Sequence, residues 1–554
     1  MKFDDERFQI RLVGRPVCMS EADHDVALED TDRVQGHTAL VRNVAAAVAL
    51  SGAVRSTLGP RGMDKMLVDD SGEVVVTNDG VTVLETAKVE HPTANLLIAT
   101  SSAQDRDARD GTTTTVILMA EMLQNALELV RSGVHPTIIV KGFQIANEEA
   151  ITELNRLART PKNDTERRAV VSTSLAGKID TKIVQHLADL AIEAATTLIG
   201  EDGGEDLERL RIKRLQISDG TALESELVPG LFIAKTRTEI SSDAESNGGK
   251  IAIIDGPLEV AKLEFDAQIE VHSADVLRGF HERDEENLRL MVDQLSELNI
   301  ELLVVRDGIA DEVMPMLTAA GITAYRRFER EDLERLARMT GAKMARDTKR
   351  MTADDVGVYT KRSERVIGSV KYTRIEADKG GAMTVLLKGT TPEIREEVSR
   401  AFDDALGVAH RLNLDPRILP GGGATQTHLA RHLRSFATTQ SGREQMAIEA
   451  FAAALEIVPR TLAQNAGRDP IDEILALSAA QANDQDNGAW IGIDGTKGAV
   501  TRMDKMGIIA PLFVASHAIS GATTAAISIL RIDDVLWAKQ GPQTPDWSNQ
   551  IDDN

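Results

Sequence analysis

Arg109-Asp110-Gly111-Thr112-Thr113-Thr114-Thr115 is the stretch on which the reading of this chain turns. A carboxylate and a glycine precede four consecutive hydroxyl residues. A helical apolar pattern then runs through Val116, Leu118, Met119 and Leu123 to about Val130. The plain reading is a helix N-cap, with Asp110 or a threonine accepting from the first free N–H groups. One capping residue suffices for that, and β-branched threonine is only a moderate helix former. Four hydroxyls at a helix start therefore point to a ligand, and a helix N-terminus favours an anionic one.

Working outward, Glu73 to Thr77 is a short β-branched strand ending in Thr77-Asn78-Asp79-Gly80. Asn-Asp-Gly is also a good hairpin turn. Further upstream, apolar Leu40, Val44, Val48 and Val54 predict a helix from His37 to Leu58, stopped by Gly59-Pro60. The loop Thr57-Leu58-Gly59-Pro60-Arg61-Gly62 offers backbone N–H groups to phosphate, or is simple punctuation after the helix. It lacks the Gly-Lys-Ser/Thr ending of a Walker loop, which disfavours a P-loop NTPase. Together these pieces suit a magnesium nucleotide. Asp110 is the candidate Mg²⁺ ligand, since Mg²⁺ takes one or two carboxylates beside phosphate oxygens and waters. Asp79 is a candidate for handling a water nucleophile, and the combination suggests ATP hydrolysis. Gly421-Gly422-Gly423 is either a flexible linker or a close approach of backbone to nucleotide. Asp403-Asp404 on a helix reads by default as a solvated face.

A chain of 554 residues exceeds one core and suggests about three domains. The net charge of −24 argues against nucleic acid or an anionic membrane as partner. The single Cys18 excludes an internal disulfide and any cysteine-cluster metal site. Met1 to Glu6 shows no basic segment leading into an apolar core, so no secretory signal is expected. No apolar run is expected to approach the roughly 20 residues that cross a bilayer, the longest being Val44 to Val54. The expectation is a cytoplasmic protein.

The N-terminal third reads as helical, with a further helix after His135-Pro136. Arg159 to Asp164 reads as a crossing or hinge. Ile251–Ile254, Leu302–Val305 and Ile322–Tyr325 read as strands alternating with helices such as Glu331–Met339, a small α/β domain. Ser273 to Leu298 reads as an acidic helix with Phe280, Leu288, Leu290 and Met291 as its apolar positions. The chain turns helical again over Arg395–Leu412 and stays so to about residue 537, with strand-like pieces near 490–515. Helical ends flanking an α/β middle suggest an insertion, both ends building one domain. The tail beyond Gln540 reads as disordered.

Thr57 to Asp69, Thr77-Asn78-Asp79-Gly80, Val89-Glu90-His91-Pro92, Asp110 to Thr114 and Pro420 to Ala424 together resemble the group II chaperonins, the archaeal thermosome and its eukaryotic cytosolic relatives. So do Ala447 to Phe451, Pro459 to Ala463, Asn465-Ala466-Gly467 and Leu530 to Asp534, in the right order from about residue 33 to 538. The resemblance implies a multidomain fold. A mostly α-helical equatorial ATPase domain would come from residues 1–163 and 414–554. An α/β intermediate hinge domain would take 164–235 and 382–413, and an α/β apical domain 236–381. The acidic helix from Ser273 falls where a built-in lid protrusion belongs, so no separate lid protein is expected. The resemblance also implies partners: unfolded or partly folded clients, and sibling subunits in stacked eight- or nine-membered rings.

Residue by residue, the resemblance makes Asp110 the magnesium ligand and lets Gly111, Thr112, Thr113 and Thr114 bind ATP phosphates. Thr57, Leu58, Gly59 and Pro60 would line the nucleotide, with Gly422 beside the ribose and Gly492 also in the site. Asp79 and Asp404 would position and deprotonate water, and Lys178 would sense the γ-phosphate. Three positions depart from the family pattern. Arg109 replaces a glycine and would add phosphate affinity or crowd the turn. Ala510 stands where a ribose-side acid is usual, and Arg502 where an aspartate is common. Two rivals remain: a chiefly structural ring subunit with weak ATPase of its own, and a small-molecule kinase, for which no acceptor motif is visible.

Overall fold

The computed structural model describes residues 31–68, 72, 74–86, 89, 91–198, 211–237, 245–260, 274–378, 381–484 and 486–538. The tail beyond 540 lies outside them. The central element is the helix Thr112–Arg131, whose Val116, Ile117, Leu118, Met119, Met122 and Leu123 are all fully buried. It is surrounded by helices from both ends of the chain: Gly36–Arg55 and Pro92–Ala108 before it, Glu444–Leu455 and Leu512–Leu530 long after it. One core therefore joins Val44, Leu97 and Phe143 to Leu429, Phe451 and Ile529. Phe143 meets Phe451 edge-on, ring centres 5.6 Å apart. The strand Thr31–Gln35 pairs antiparallel with Asp534–Ala538, closing the two ends on each other.

Helix starts follow local chemistry. His91 accepts from Thr93 N and His135 from Thr137 N, each before a proline in the first turn, where its missing N–H costs nothing. The helix expected over His37–Leu58 ends at Arg55, because Thr57 N and Leu58 N already turn back to Val54 O and Arg55 O.

Two helices correct the expectation about apolar runs. Gly36–Arg55 and Leu512–Leu530 are both long and apolar enough to cross a membrane. Serines, threonines and a glycine interrupt Leu512–Leu530, which hides its length by eye. Those hydroxyls bond back into the helix, Thr523 Oγ1 to Ile519 O at 2.6 Å and Thr524 Oγ1 to Ser520 O at 2.8 Å. Both helices are core elements packed on Thr112–Arg131, through Val44, Ala47 and Val54 and through Ile519, Ala522 and Ala526.

Arg159 and Ile418 exchange backbone hydrogen bonds of 3.1 and 2.7 Å, so the outgoing and returning chain run side by side. Beyond them lies a second core, with Val171, Leu187, Ala191, Val385, Leu387, Phe402 and Leu406. Its sheet places Met383–Lys388 between Ile212–Ile217, parallel, and Glu226–Pro229, antiparallel. Helices Asp164–Ser174, Thr181–Leu198 and Pro392–Leu414 share this core.

The third region is a sheet of Gly249–Ile254, Leu302–Val305, Thr323–Tyr325 and Met344–Ala345, all parallel, with Gly357–Tyr359 antiparallel. Ile251, Ile253, Leu302 and Val304 face one core, and Ala252, Ile254, Leu303 and Val305 face another. Burial on both faces is why these strands are apolar throughout. Helix Ala274–Glu297 packs Leu288, Val292 and Leu295 on the second face. Those positions are the true apolar stripe. Leu290 was read into it but is 58% exposed, nearly half a turn from the contact line. The same helix exposes Arg278 and Glu282 to Glu286. Ser273 and the side chain of Phe280 lie outside the described residues.

Candidate active site

A cavity of ≈ 670 Å³ opens where the first core meets the second. It brings together Thr57, Leu58, Gly59 and Pro60 with Asp79, Asp110, Gly111, Thr112, Thr113 and Thr114, and with Lys178 and Gly422. Gly492 is not in its wall. It stands a layer behind, where an added Cβ would come within 2.9 Å of Met503 Cγ and 3.0 Å of Gly421 O.

The loop after Gly36–Arg55 is shaped by Gly59 at φ +84° and closed by Gly62 N to Gly59 O at 2.8 Å. Asn465 Nδ2 holds Leu58 O at 2.9 Å from the far end of the chain. Thr57 spends its hydroxyl on Val54 O, 2.8 Å away. Gly177 presses on this loop: a Cβ there would lie 2.5 Å from Gly59 O. The next residue is Lys178.

Asp110 Oδ1 accepts from Gly111 N at 2.8 Å and caps nothing further along. Gly111 is the N-cap at φ +79° and supplies no side-chain acceptor. The first-turn N–H groups of Thr112–Arg131 are therefore left for whatever enters the cavity. Only three of the four threonines line it. Thr115 is buried and bonds Gly111 O at 3.0 Å, correcting the reading of four ligand-facing hydroxyls. Asn78-Asp79-Gly80 is not a hairpin turn: Gly80 opens the helix Gly80–Thr86, and a Cβ there would stand 2.5 Å from Thr113 Oγ1. Asp79 Oδ2 is held by Thr82 N at 2.9 Å and Thr82 Oγ1 at 2.8 Å.

The glycine triplet is no flexible linker. Gly421 N donates to Ile508 O, and Gly422 O accepts from Ile493 N. Gly423, at φ +71°, is the N-cap of Ala424–Ala437, again without a side-chain cap. Two helix N-termini thus open on one cavity.

Asp404 stands just outside the lining. It comes in on Pro392–Leu414, and its Oδ2 meets Lys178 Nζ at 2.5 Å. Solvation as a default reading is therefore corrected for Asp404, whose side chain is only 20% exposed. Burial pushes its carboxyl up to about 7 against the pull of Lys178, with Asp79 and Asp105 adding to the rise. Burial opposes the charge on Lys178, but Asp404, Asp110 and Asp79 more than offset it and hold the ammonium above its usual range. Asp110 is also raised, first by burial and then by Asp105 and Asp79. Asp404, Asp110 and Asp79 thus share one half-buried lysine, while Asp105 also has Arg109 beside it.

That excess negative charge is what a divalent cation would relieve. Among the described residues no three His, Cys, Asp or Glu side chains form a cage able to hold a metal. The donor set fits a cation completing its shell with phosphate and water, as Mg²⁺ does, with Asp110 the candidate ligand on the protein side.

Two departures move away from the site. Arg109 is outside the lining, at the C-cap of Pro92–Ala108. Arg502 pairs with Asp504 at 2.8 Å. Ala510 does line the cavity. The sequence reading missed Asp105, Asp494 and Thr496. Asp494-Gly495-Thr496 repeats the tripeptide of Asp110-Gly111-Thr112, a signal that was available.

The TCP-1/cpn60 chaperonin family matches residues 50–540. A thermosome subunit of Methanothermococcus thermolithotrophicus is 40% identical over 516 residues, 92% of this chain and 94% of that protein. Thermosome subunit 1 of Haloferax volcanii is 40% identical over 514 residues, 92% and 90% of the two chains. Thermosome subunit beta of Thermococcus kodakarensis is 37% identical over 538 residues, 96% of each. Matches of that extent, spanning all three regions and the cavity between the first two, mean that the chain belongs to the TCP-1/cpn60 chaperonin family.

Proposed function

We propose that this chaperonin subunit hydrolyses ATP in the cavity and uses the cycle to fold client proteins. The observation that carries the reading is the Lys178–Asp404 pair, contributed by the second core, facing Asp79, Asp110 and the open helix start at Thr112 from the first. The N–H groups and hydroxyls of Thr112, Thr113 and Thr114 hold phosphate oxygens. Mg²⁺ bound at Asp110 would neutralise phosphate charge. Asp79, fixed by Thr82, orients the attacking water, and Asp404 accepts its proton. A carboxyl titrating near 7 is matched to that task at neutral pH. Gly422 and Ala510 are walls for the nucleotide, and Gly492 supports Gly421 from behind.

Residues 1–163 and 414–554 are the equatorial domain in this reading, 164–235 and 382–413 the intermediate domain, and 236–381 the apical domain with its lid. Because Asp404 and Lys178 ride on a different core from Asp79, completing the site requires the two to close, which ties hydrolysis to movement. Sibling subunits in stacked eight- or nine-membered rings and unfolded clients in the cytoplasm are the partners.

Phosphate release from purified protein with Mg-ATP, beside Asp404→Ala, tests the reading. Turnover that disappears in the variant is expected. A wild type silent at several salt concentrations favours the structural-subunit alternative instead.

A further inference from the structure

The helix that delivers Asp404 rests, one turn later, on the end of Pro92–Ala108. Gly407 lies against the side-chain stem of Arg109: an added Cβ would overlap Arg109 Cγ and stand 2.8 Å from its Cβ and 3.2 Å from its Cδ. A further turn along, Arg411 Nη2 donates to Arg106 O at 2.9 Å, and its Nε donates to Asp107 O. These carbonyls belong to the last turn, where the helix has no acceptors' partners of its own and its dipole favours a cation. Arg109 itself is at φ 56°, a left-handed conformation that strains any residue with a Cβ. Its N–H caps Asp105 O at 2.9 Å, and Nη1 lies 3.7 Å from Asp105 Oδ2.

We propose that Arg109 is a positioning residue: its methylene stem, with Gly407 fitted over it and Arg411 clamped beside it, forms the seat that sets where Asp404 stands in the site. The inference rests on the reading of Asp404 as the base. The seat works by shape, so the stem matters and the guanidinium does not. Its left-handed backbone separates this role from stability, because glycine at 109 relieves strain while removing the seat.

The test compares R109G, R109M, G407A and R109G/G407A by steady-state phosphate release, thermal melting and hydrogen exchange over residues 398–412. R109G is expected to lower kcat on the order of ten- to a hundredfold, the scale of a small misplacement of a reacting group. KM should stay unchanged, the melting temperature should not fall, and exchange over 398–412 should accelerate. R109M, which keeps a stem, should retain wild-type kcat. G407A should lower kcat by overlap with Arg109, and R109G/G407A should exceed both single variants, since the new methyl occupies vacated space. Wild-type kcat in R109G, a defect in R109M equal to that in R109G, or simple additivity in the double variant would each overturn the seat. Should the wild type release no phosphate, the ATPase reading fails on its own. Exchange over 398–412 then still decides the seat: faster in R109G but not in R109M upholds it, and unchanged in both overturns it.

Discussion

Asp110-Gly111-Thr112 and Asp494-Gly495-Thr496 are the same tripeptide, and both line the same cavity, yet their carboxylates are in opposite states. Asp494 turns inward on its own loop. Its Oδ1 accepts from Thr496 N at 2.9 Å and Thr496 Oγ1 at 2.6 Å. Burial opposes its charge, but these donors and Lys497 win, and its carboxyl lies below the usual range. Burial lifts the Asp110 carboxyl above that range, against Lys178 and the Gly111 N–H, with Asp105 and Asp79 adding to the rise. A satisfied carboxylate holds a turn together, whereas one short of donors is poised for a cation. A third copy, Asp219-Gly220-Thr221, is outside the cavity and ends in a capping box between Thr221 and Glu224.

Substitution should separate the three copies. Asp110→Ala is expected to abolish measurable phosphate release, a loss on the order of a thousandfold or more in kcat, with melting unchanged. Turnover comparable to wild type would erase the distinction from Asp494. The next effect is in pH. With Asp404 pushed up to about 7, the base is increasingly protonated as pH falls below that value. Turnover should then drop about tenfold per pH unit on the acid side. Lys178→Met removes the charge that opposes this rise, so the limb should move to higher pH; a pH–rate profile reads both. Asp494→Ala strands its donors and should cost about 1–3 kcal/mol of stability in denaturant unfolding, while folded protein keeps its turnover. Thr221→Ala should be the mildest, under about 1 kcal/mol and without effect on phosphate release.

Much of the fold was legible along the chain because its signals are short-ranged. The Gly59-Pro60 stop, the proline after His135 and the strands Ile251–Ile254 and Leu302–Val305 are written in consecutive residues. The hydroxyl run at Thr112 likewise marked one wall of the cavity. What was misread depended on a partner. Leu290 has the right residue type and the wrong azimuth. Leu512–Leu530 shows its length only once its hydroxyls are bonded inward. Arg109 was expected to add phosphate affinity or crowd the turn, and no local pattern showed that its stem lies against Gly407.

By itself the sequence determined the helices and strands, the tight glycine turns and, through ordered motifs from Thr57 to Asp534, the family. Tertiary structure alone decided that, of the two identical tripeptides lining the cavity, the carboxyl of Asp110 is raised and that of Asp494 lowered. It also decided that Asp404 meets Lys178 across 226 residues of chain. Periodicity and turn chemistry act over a few neighbours, whereas desolvation and charge depend on what the folded chain brings near, and no local pattern carries that.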